Sequence, residues 1–119
     1  MFVVLVGENK FVDSYKDYLR DLNLDFSNVI SPKDFSPLYG DVFNDYLLKR
    51  ADAVVIFTPS DQFNFYVAKV CKDYYKIKKV ISVINNSNNA DVFNSIGVTE
   101  LIDWNYYAKN SLYKYLKGE

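Results

Sequence analysis

The chain has 119 residues, half of them hydrophobic, with 14 basic against 15 acidic side chains and a net charge of −1. That length holds one domain with its own core, and the balanced charge sets aside a dedicated nucleic-acid binder, which would carry a basic stripe. One cysteine, Cys71, and no histidine leave no internal disulfide, no thiolate metal cluster, no His-ligated zinc and no His-based triad.

Phe2-Val3-Val4-Leu5-Val6, ending at Gly7, reads as a strand buried on both faces. It follows Met1 directly with no basic leader, so no signal peptide is expected. The apolar runs at 2–6 and 53–57 are far too short to cross a membrane, and no membrane insertion is expected. Phe11, Tyr15, Tyr18, Leu19 and Leu22 predict a helix over 11–22, with Asn9 or Asp13 near its start. Asn28-Val29-Ile30 is a second strand, stopped by Ser31-Pro32. The stretch 32–40 holds two of the three prolines and is the least regular part of the chain.

A short helix is predicted over 42–50, then a buried strand over 53–57 ended by Thr58-Pro59. Phe63, Tyr66, Val67, Val70, Cys71 and Tyr74 form a single apolar stripe, the clearest helix in the sequence. A strand over 80–84 runs into the polar stretch Asn85-Asn86-Ser87-Asn88-Asn89, read as a loop. A short helix over 90–96 closes on Gly97, a last strand covers 100–102, and a terminal helix covers 104–116. Strands alternating with helices predict right-handed βαβ units. The fold class is therefore α/β, a doubly wound Rossmann-like parallel sheet in three αβα layers, forming one domain over 1–119.

In such a sheet ligands sit beyond the carboxyl ends of the strands, where the strand order reverses. The first loop begins Gly7-Glu8-Asn9-Lys10-Phe11-Val12. A dinucleotide site wants G-x-G-x-x-G there, so that the pyrophosphate can approach bare backbone and the helix can pack closely on the strand. Only Gly7 remains, with Asn9 and Val12 at the other two positions. Lys10 offers a compensating charge, or is simply a solvated lysine beside a strand-to-helix turn. After the second strand, where a ribose-binding carboxylate belongs, Ser31 stands instead; its hydroxyl can bond ribose or phosphate, although an ordinary Ser-Pro turn explains it better. Thr58 leaves the next strand facing the cleft, and Ser60 or Asp61 suits the cap of the following helix.

Ala51-Asp52-Ala53-Val54-Val55-Ile56-Phe57-Thr58, Ser60-Asp61, Asn64, Lys78-Lys79-Val80-Ile81, Asn85-Asn86, Ala90, Val92-Phe93, Gly97-Val98 and Glu100-Leu101-Ile102 follow one another in an order that resembles a known family. It is the RCK N-terminal (TrkA-N, or KTN) domain family, with its pattern A-D-x-V-V-x-x-T-x-x-D-x-x-N, then K-V-I, an N-N loop and G-V-x-x-x-I. The likeness covers about residues 40 to 103. Gly7 and Lys10-Phe11 are similar to the family's G-x-G-R-F-G loop, and Gly40-Asp41 to its G-D pair, whose aspartate lies near the adenine.

The resemblance implies a cytoplasmic, non-catalytic Rossmann-like domain that binds NAD(H), ATP or ADP and gates potassium channels or transporters as a dimer or ring. Gly7, Asn9, Lys10, Phe11, Ser31, Asp41, Thr58 and Asp61 are the candidate cofactor-binding residues. The missing glycines and ribose carboxylate, with Val83 where the family often has arginine, remove ligand-holding groups and keep fold-holding ones. An adenine nucleotide (ATP, ADP or NAD) is therefore expected to bind weakly, with NAD weakened or lost, and no counterpart of the family's C-terminal ligand domain is expected after Trp104. The expected partners are a second copy of the chain and a potassium channel or transporter membrane subunit. The alternative is an interaction domain without a nucleotide, acting through self-association or a partner protein. On the terminal helix Trp104, Tyr107, Ala108, Ser111, Leu112 and Tyr115 make one stripe while Tyr106 and Tyr113 point away, more aromatic faces than one core contact buries.

Overall fold

The computed structural model describes residues 1–7, 9–30 and 42–117, with 9–11, 26–30 and 42–45 in backbone alone. Five strands, β1 (Phe2–Val6), β2 (Asp25–Ile30), β3 (Ala53–Ile56), β4 (Lys79–Ile84) and β5 (Glu100–Asp103), form one sheet in the order β2-β1-β3-β4-β5. Every neighbouring pair is parallel. The helices are α1 (Asn9–Asp21), α2 (Val42–Arg50), α3 (Asp61–Asp73), α4 (Ala90–Ser95, entered from a 3₁₀ turn at Ser87–Asn89) and α5 (Trp104–Leu116). The chain moves outward from β1 to β2 and then returns across β1 to β3, so the order reverses between β1 and β3. That is the arrangement of a doubly wound α/β sheet.

Alternate residues of each strand point to opposite faces. On one face Val4, Val6, Val54, Ile56, Val80 and Ile84 pack against Leu47 and Leu48 of α2, Val67, Ala68 and Cys71 of α3, and Phe93 of α4. On the other, Val3, Leu5, Ala53 and Val83 meet Val12 and Leu19 of α1. Helices on both faces explain why the strand segments lack polar alternation: an outward residue meets a helix and not water.

Two sequence expectations shift in detail. β2 begins at Asp25, three residues before the strand expected at Asn28, because Phe2 and Val3 of β1 pair with Asp25 and Phe26 through backbone groups alone. The helical stripes also rotate. Among the described side chains of α1 the buried ones are Val12 and Leu19, while Tyr18 and Leu22, just past the helix, are exposed; in α3 they are Asn64, Val67, Ala68 and Cys71, while Tyr74 is exposed. Tyrosines flank the buried face and keep their hydroxyl ends in water. Gly97, at φ +81°, follows the C-cap of α4 and takes the left-handed conformation that glycine adopts freely.

Candidate functional site

Loops at the carboxyl ends of β1, β3 and β4 converge at one edge of the sheet. The loop after β3 is the most heavily bonded. Ser60 caps α3, its Oγ accepting from the Phe63 amide at 3.1 Å. Thr58 and Asn64 are both buried. The Thr58 amide and hydroxyl both donate to Asn64 Oδ1, at 3.2 and 2.5 Å. Asn64 Nδ2 donates in turn to the carbonyls of Thr58, at 3.0 Å, and Val83, at 3.3 Å. One buried amide thus ties the end of β3 to β4, and every polar group it brings inside has a partner.

Asp61, in the first turn of α3, completes the knot. Its carboxylate accepts from the Asn85 amide at 2.7 Å, Asn85 Nδ2 at 2.9 Å, the Asn86 amide at 2.9 Å and Asn89 Nδ2 at 2.8 Å. Partial burial raises its pKa, but these four donors outweigh that and hold the carboxyl below the ordinary aspartate value. The spacing T-x-x-D-x-x-N followed by N-N therefore has a physical reason: the threonine and the two later residues, one helical turn apart, clamp the β3–α3 and β4–α4 loops together.

Gly7 ends β1 beside the point of strand reversal. The Phe57 amide donates to the Val6 carbonyl at 3.0 Å, carrying the β1–β3 pairing one residue past β3. A Cβ at Gly7 would lie 2.8 Å from Phe57 Cε2, so glycine is needed there because the Phe57 ring rests on it. That ring is only 8% exposed and meets Tyr15 of α1 at a centroid distance of 5.0 Å. A cavity of about 160 Å³ remains beside it, lined by Tyr15, Phe57, Thr58, Pro59, Asn85 and Trp104. Pockets for drug-sized ligands usually measure about 300–1,000 Å³.

The first turn of α5 is fastened to the same edge. Asp103 caps it, accepting from the Tyr106 amide at 3.1 Å and from Ser87 Oγ at 2.5 Å, and Asn105 Nδ2 donates to the Asn85 carbonyl. The Ser87 hydrogen bond leads the effects that lower the Asp103 pKa.

Gly7, Thr58 and Asp61 thus meet at the carboxyl edge, and the backbone of Asn9, Lys10 and Phe11 forms the first turn of α1 next to Gly7. The side chains of those three, and Ser31 and Asp41 altogether, lie outside the described residues. Phe57, Tyr15, Trp104 and Asn85 join the site without having been singled out as ligand contacts. The family pattern leaves position 57 open, and Phe57 reads in sequence as the last apolar residue of a strand.

Among the described residues no acidic, cysteine or histidine cluster could hold a metal ion, and no helix is long and apolar enough to cross a membrane. The solved structures that the chain resembles include the GsuK RCK domain, at a TM-score of 0.82 and 14% identity over 98% of this chain and 28% of that one. A GsuK channel bound to NAD has a TM-score of 0.80 at 14% identity, over 98% of this chain and 23% of that one. Another structure of the GsuK channel has a TM-score of 0.81 at 14% identity, over 99% of this chain and 34% of that one. The chain thus spans about a quarter to a third of the length of the proteins it resembles. No curated protein matches it. The family model of the TrkA-N domain matches residues 34–103, more than half of the chain, and takes in the whole polar knot from Thr58 to Asn89. The chain belongs to the TrkA-N domain family.

Proposed function

We propose that this domain is a non-catalytic regulatory module that couples weak adenine-nucleotide binding at its carboxyl edge to a potassium channel or transporter, with NAD binding weakened or lost. The Phe57 ring resting on Gly7 carries this reading. A dinucleotide site brings its pyrophosphate into the crevice at the strand reversal, against bare glycine backbone. Here an aromatic ring covers the first glycine, Asn9 stands at the second position, and Val12 at the third is fully buried between α1 and the sheet. Asp61 spends its carboxylate on four donors of its own chain, which leaves it poorly placed to grip a ribose. What remains available is the first turn of α1, whose free N–H groups suit a phosphate, with Lys10 beside it in sequence. Membership of the TrkA-N family, and the likeness to a GsuK channel bound to NAD, support the regulatory role and a membrane-protein partner in the cytoplasm.

The exposed length of α5 supports self-association as well. None of its residues is buried, and Trp104, Tyr106, Tyr107, Leu112 and Tyr113 all stand open to water. Closed two-fold pairing is the commonest soluble assembly. Covering two or three such rings contributes several kcal/mol at roughly 25 cal/mol per Å² of apolar area, before the entropy lost on association.

Thermal melting with NAD⁺, NADH, ATP, ADP and AMP tests the nucleotide reading. A ligand at about one hundred times its Kd stabilises the folded state by about 2.7 kcal/mol. NAD⁺ is expected to leave the melting temperature unchanged, and Phe57→Ala to gain a NAD⁺-dependent rise relative to its own ligand-free melt. Micromolar binding of NAD⁺ to the unaltered chain would refute weakened binding. If no nucleotide raises the melting temperature, the interaction-domain alternative replaces the sensor.

A further inference from the structure

We propose that the opposite, amino edge of the sheet carries a second site, one that takes a compact anion with two or more phosphates. In a parallel sheet the strand beginnings and helix ends collect at this edge. Three segments bring lysines there: Lys49 in the last turn of α2, Lys76 and Lys78 in the link that leaves α3, and Lys79 at the start of β4. All four are exposed, and they line one open concavity of about 620 Å³ together with Asp52 and Tyr75.

The chain as a whole is nearly neutral, at −1. Lys76, Lys78 and Lys79 against the one carboxylate of Asp52 in a single hollow are therefore a local excess, before Lys49 is counted. Asp52 is partly committed, since its Oδ2 accepts from the Phe2 amide at 2.7 Å. Glu100 opens β5 opposite Ile81 and lines no part of the hollow. Among the described residues, no carboxylate lies within ion-pair distance of Lys76, Lys78 or Lys79.

The link is also held in shape. Ile77, only 4% exposed, is sunk in the core between Lys76 and Lys78, and its amide donates to the Cys71 carbonyl at 3.0 Å. Lys76 takes the left-handed conformation, φ 57°, which an L-residue enters at a cost. The lysine stems thus leave a pinned backbone at the rim of the hollow. The carbonyl ends of α2 and α3 attract cations and account for Lys49. They do not account for Lys78 and Lys79, which lie beyond the helix. Lysines bind phosphate as point charges and need no fixed fork geometry. Several of them gathered in a hollow repel one another until an anion neutralises them.

Two sources supply this chemistry, a free polyphosphate or the head group of a phosphorylated lipid. The test titrates the whole chain with inorganic triphosphate by calorimetry. It also sediments the chain with vesicles of phosphatidylcholine alone or with added phosphatidylinositol bisphosphate. Lys76→Gln, Lys78→Gln and Lys79→Gln are combined in one variant; Lys109→Gln, Lys114→Gln and Lys117→Gln make a charge-matched control on and just beyond α5. Triphosphate affinity is expected to fall about tenfold or more in the first variant, and to weaken as salt rises, while the control binds as the unaltered chain does. Vesicle binding that needs the phosphorylated lipid and is lost in the first variant only assigns the lipid as source. Equal losses in both variants, or no binding of either probe, overturn the site. Because the variant leaves Gly7, Phe57 and Lys10 untouched, its result is independent of nucleotide binding at the carboxyl edge.

Discussion

Helices α3 and α5 are each thirteen residues long and each carries an apolar stripe at helical spacing, yet they end in opposite situations. α3 buries Asn64, Val67, Ala68 and Cys71 against the sheet, whereas α5 buries nothing. The difference lies in what the chain brings to meet them. α3 joins two neighbouring strands, so a right-handed crossover presses it onto the face those strands share. α5 follows the last strand, and no later strand in the described sheet draws it back. A periodic stripe therefore defines a face and says nothing of what covers it.

The sharpest way to break the comparison is thiol chemistry. Burial pushes the Cys71 thiol of α3 up to about 12, where the thiolate is nearly absent. A cysteine introduced on α5, as in Lys114→Cys, keeps an ordinary thiol. At pH 8 it should react with a soluble maleimide or disulfide reagent about a thousandfold faster than Cys71, on thiolate fraction alone. Equal rates would mean that α3 opens as freely as α5.

Next in size is the buried amide of α3. Asn64→Leu takes the buried acceptor from the Thr58 amide and hydroxyl, and should lower unfolding stability by about 3 kcal/mol in a urea titration. A loss below about 1 kcal/mol would show that the two loops hold together without the knot. Asp61→Ala removes the acceptor of the Asn85 and Asn86 amides nearer the surface and should cost about 1–2 kcal/mol.

The Asp61 change also carries a pH dependence with a fixed sign. The Asp61 carboxyl titrates below its ordinary value of 3.8 in the folded chain. Its contribution is present above the unfolded pKa and is lost as pH falls through the folded one. The gap between the unaltered chain and Asp61→Ala should therefore be constant from pH 7 to about pH 5 and shrink below about pH 4. A gap that widens in acid would contradict this assignment of the hydrogen bonds.

The smallest expected change in the stability of one chain, and the most telling for α5, is the pair Tyr106→Ala with Tyr113→Ala. Exposed substitutions of this kind shift folding stability by no more than about 0.5 kcal/mol. If a second copy covers α5, light scattering across a dilution series should show a dimer for the unaltered chain and a monomer for the double variant. A monomer at every concentration in the unaltered chain would leave α5 for another partner.

The carboxyl edge shows how the sequence both reveals and hides a site. Thr58, Asp61, Asn64 and Asn85 are visible as a spaced polar pattern, and the spacing is meaningful because the Thr58 side chain bonds that of Asn64 and the Asp61 side chain that of Asn85. Phe57 is invisible as a site residue. An aromatic at the end of a buried strand looks like more core, and only the pairing of β1 with β3 sets it on Gly7.

Read without a structure, the chain already determines its helices, its strands apart from the start of β2, and its fold class, because turn residues and the apolar runs between them act within a few residues of one another. Even the thirteen-residue terminal helix is bounded correctly, from Trp104 to Leu116. Which side of α1 and α3 turns inward was decided only by tertiary packing, since tyrosines satisfy a helical period as well as valines do and then stay at the edge with their hydroxyls in water. The roles of Asp61 and Phe57 were decided there too. The Asp61 carboxylate meets donors 24 to 28 residues away, and the Phe57 ring meets Gly7 just past β1; such distances along the chain are closed only when the sheet forms.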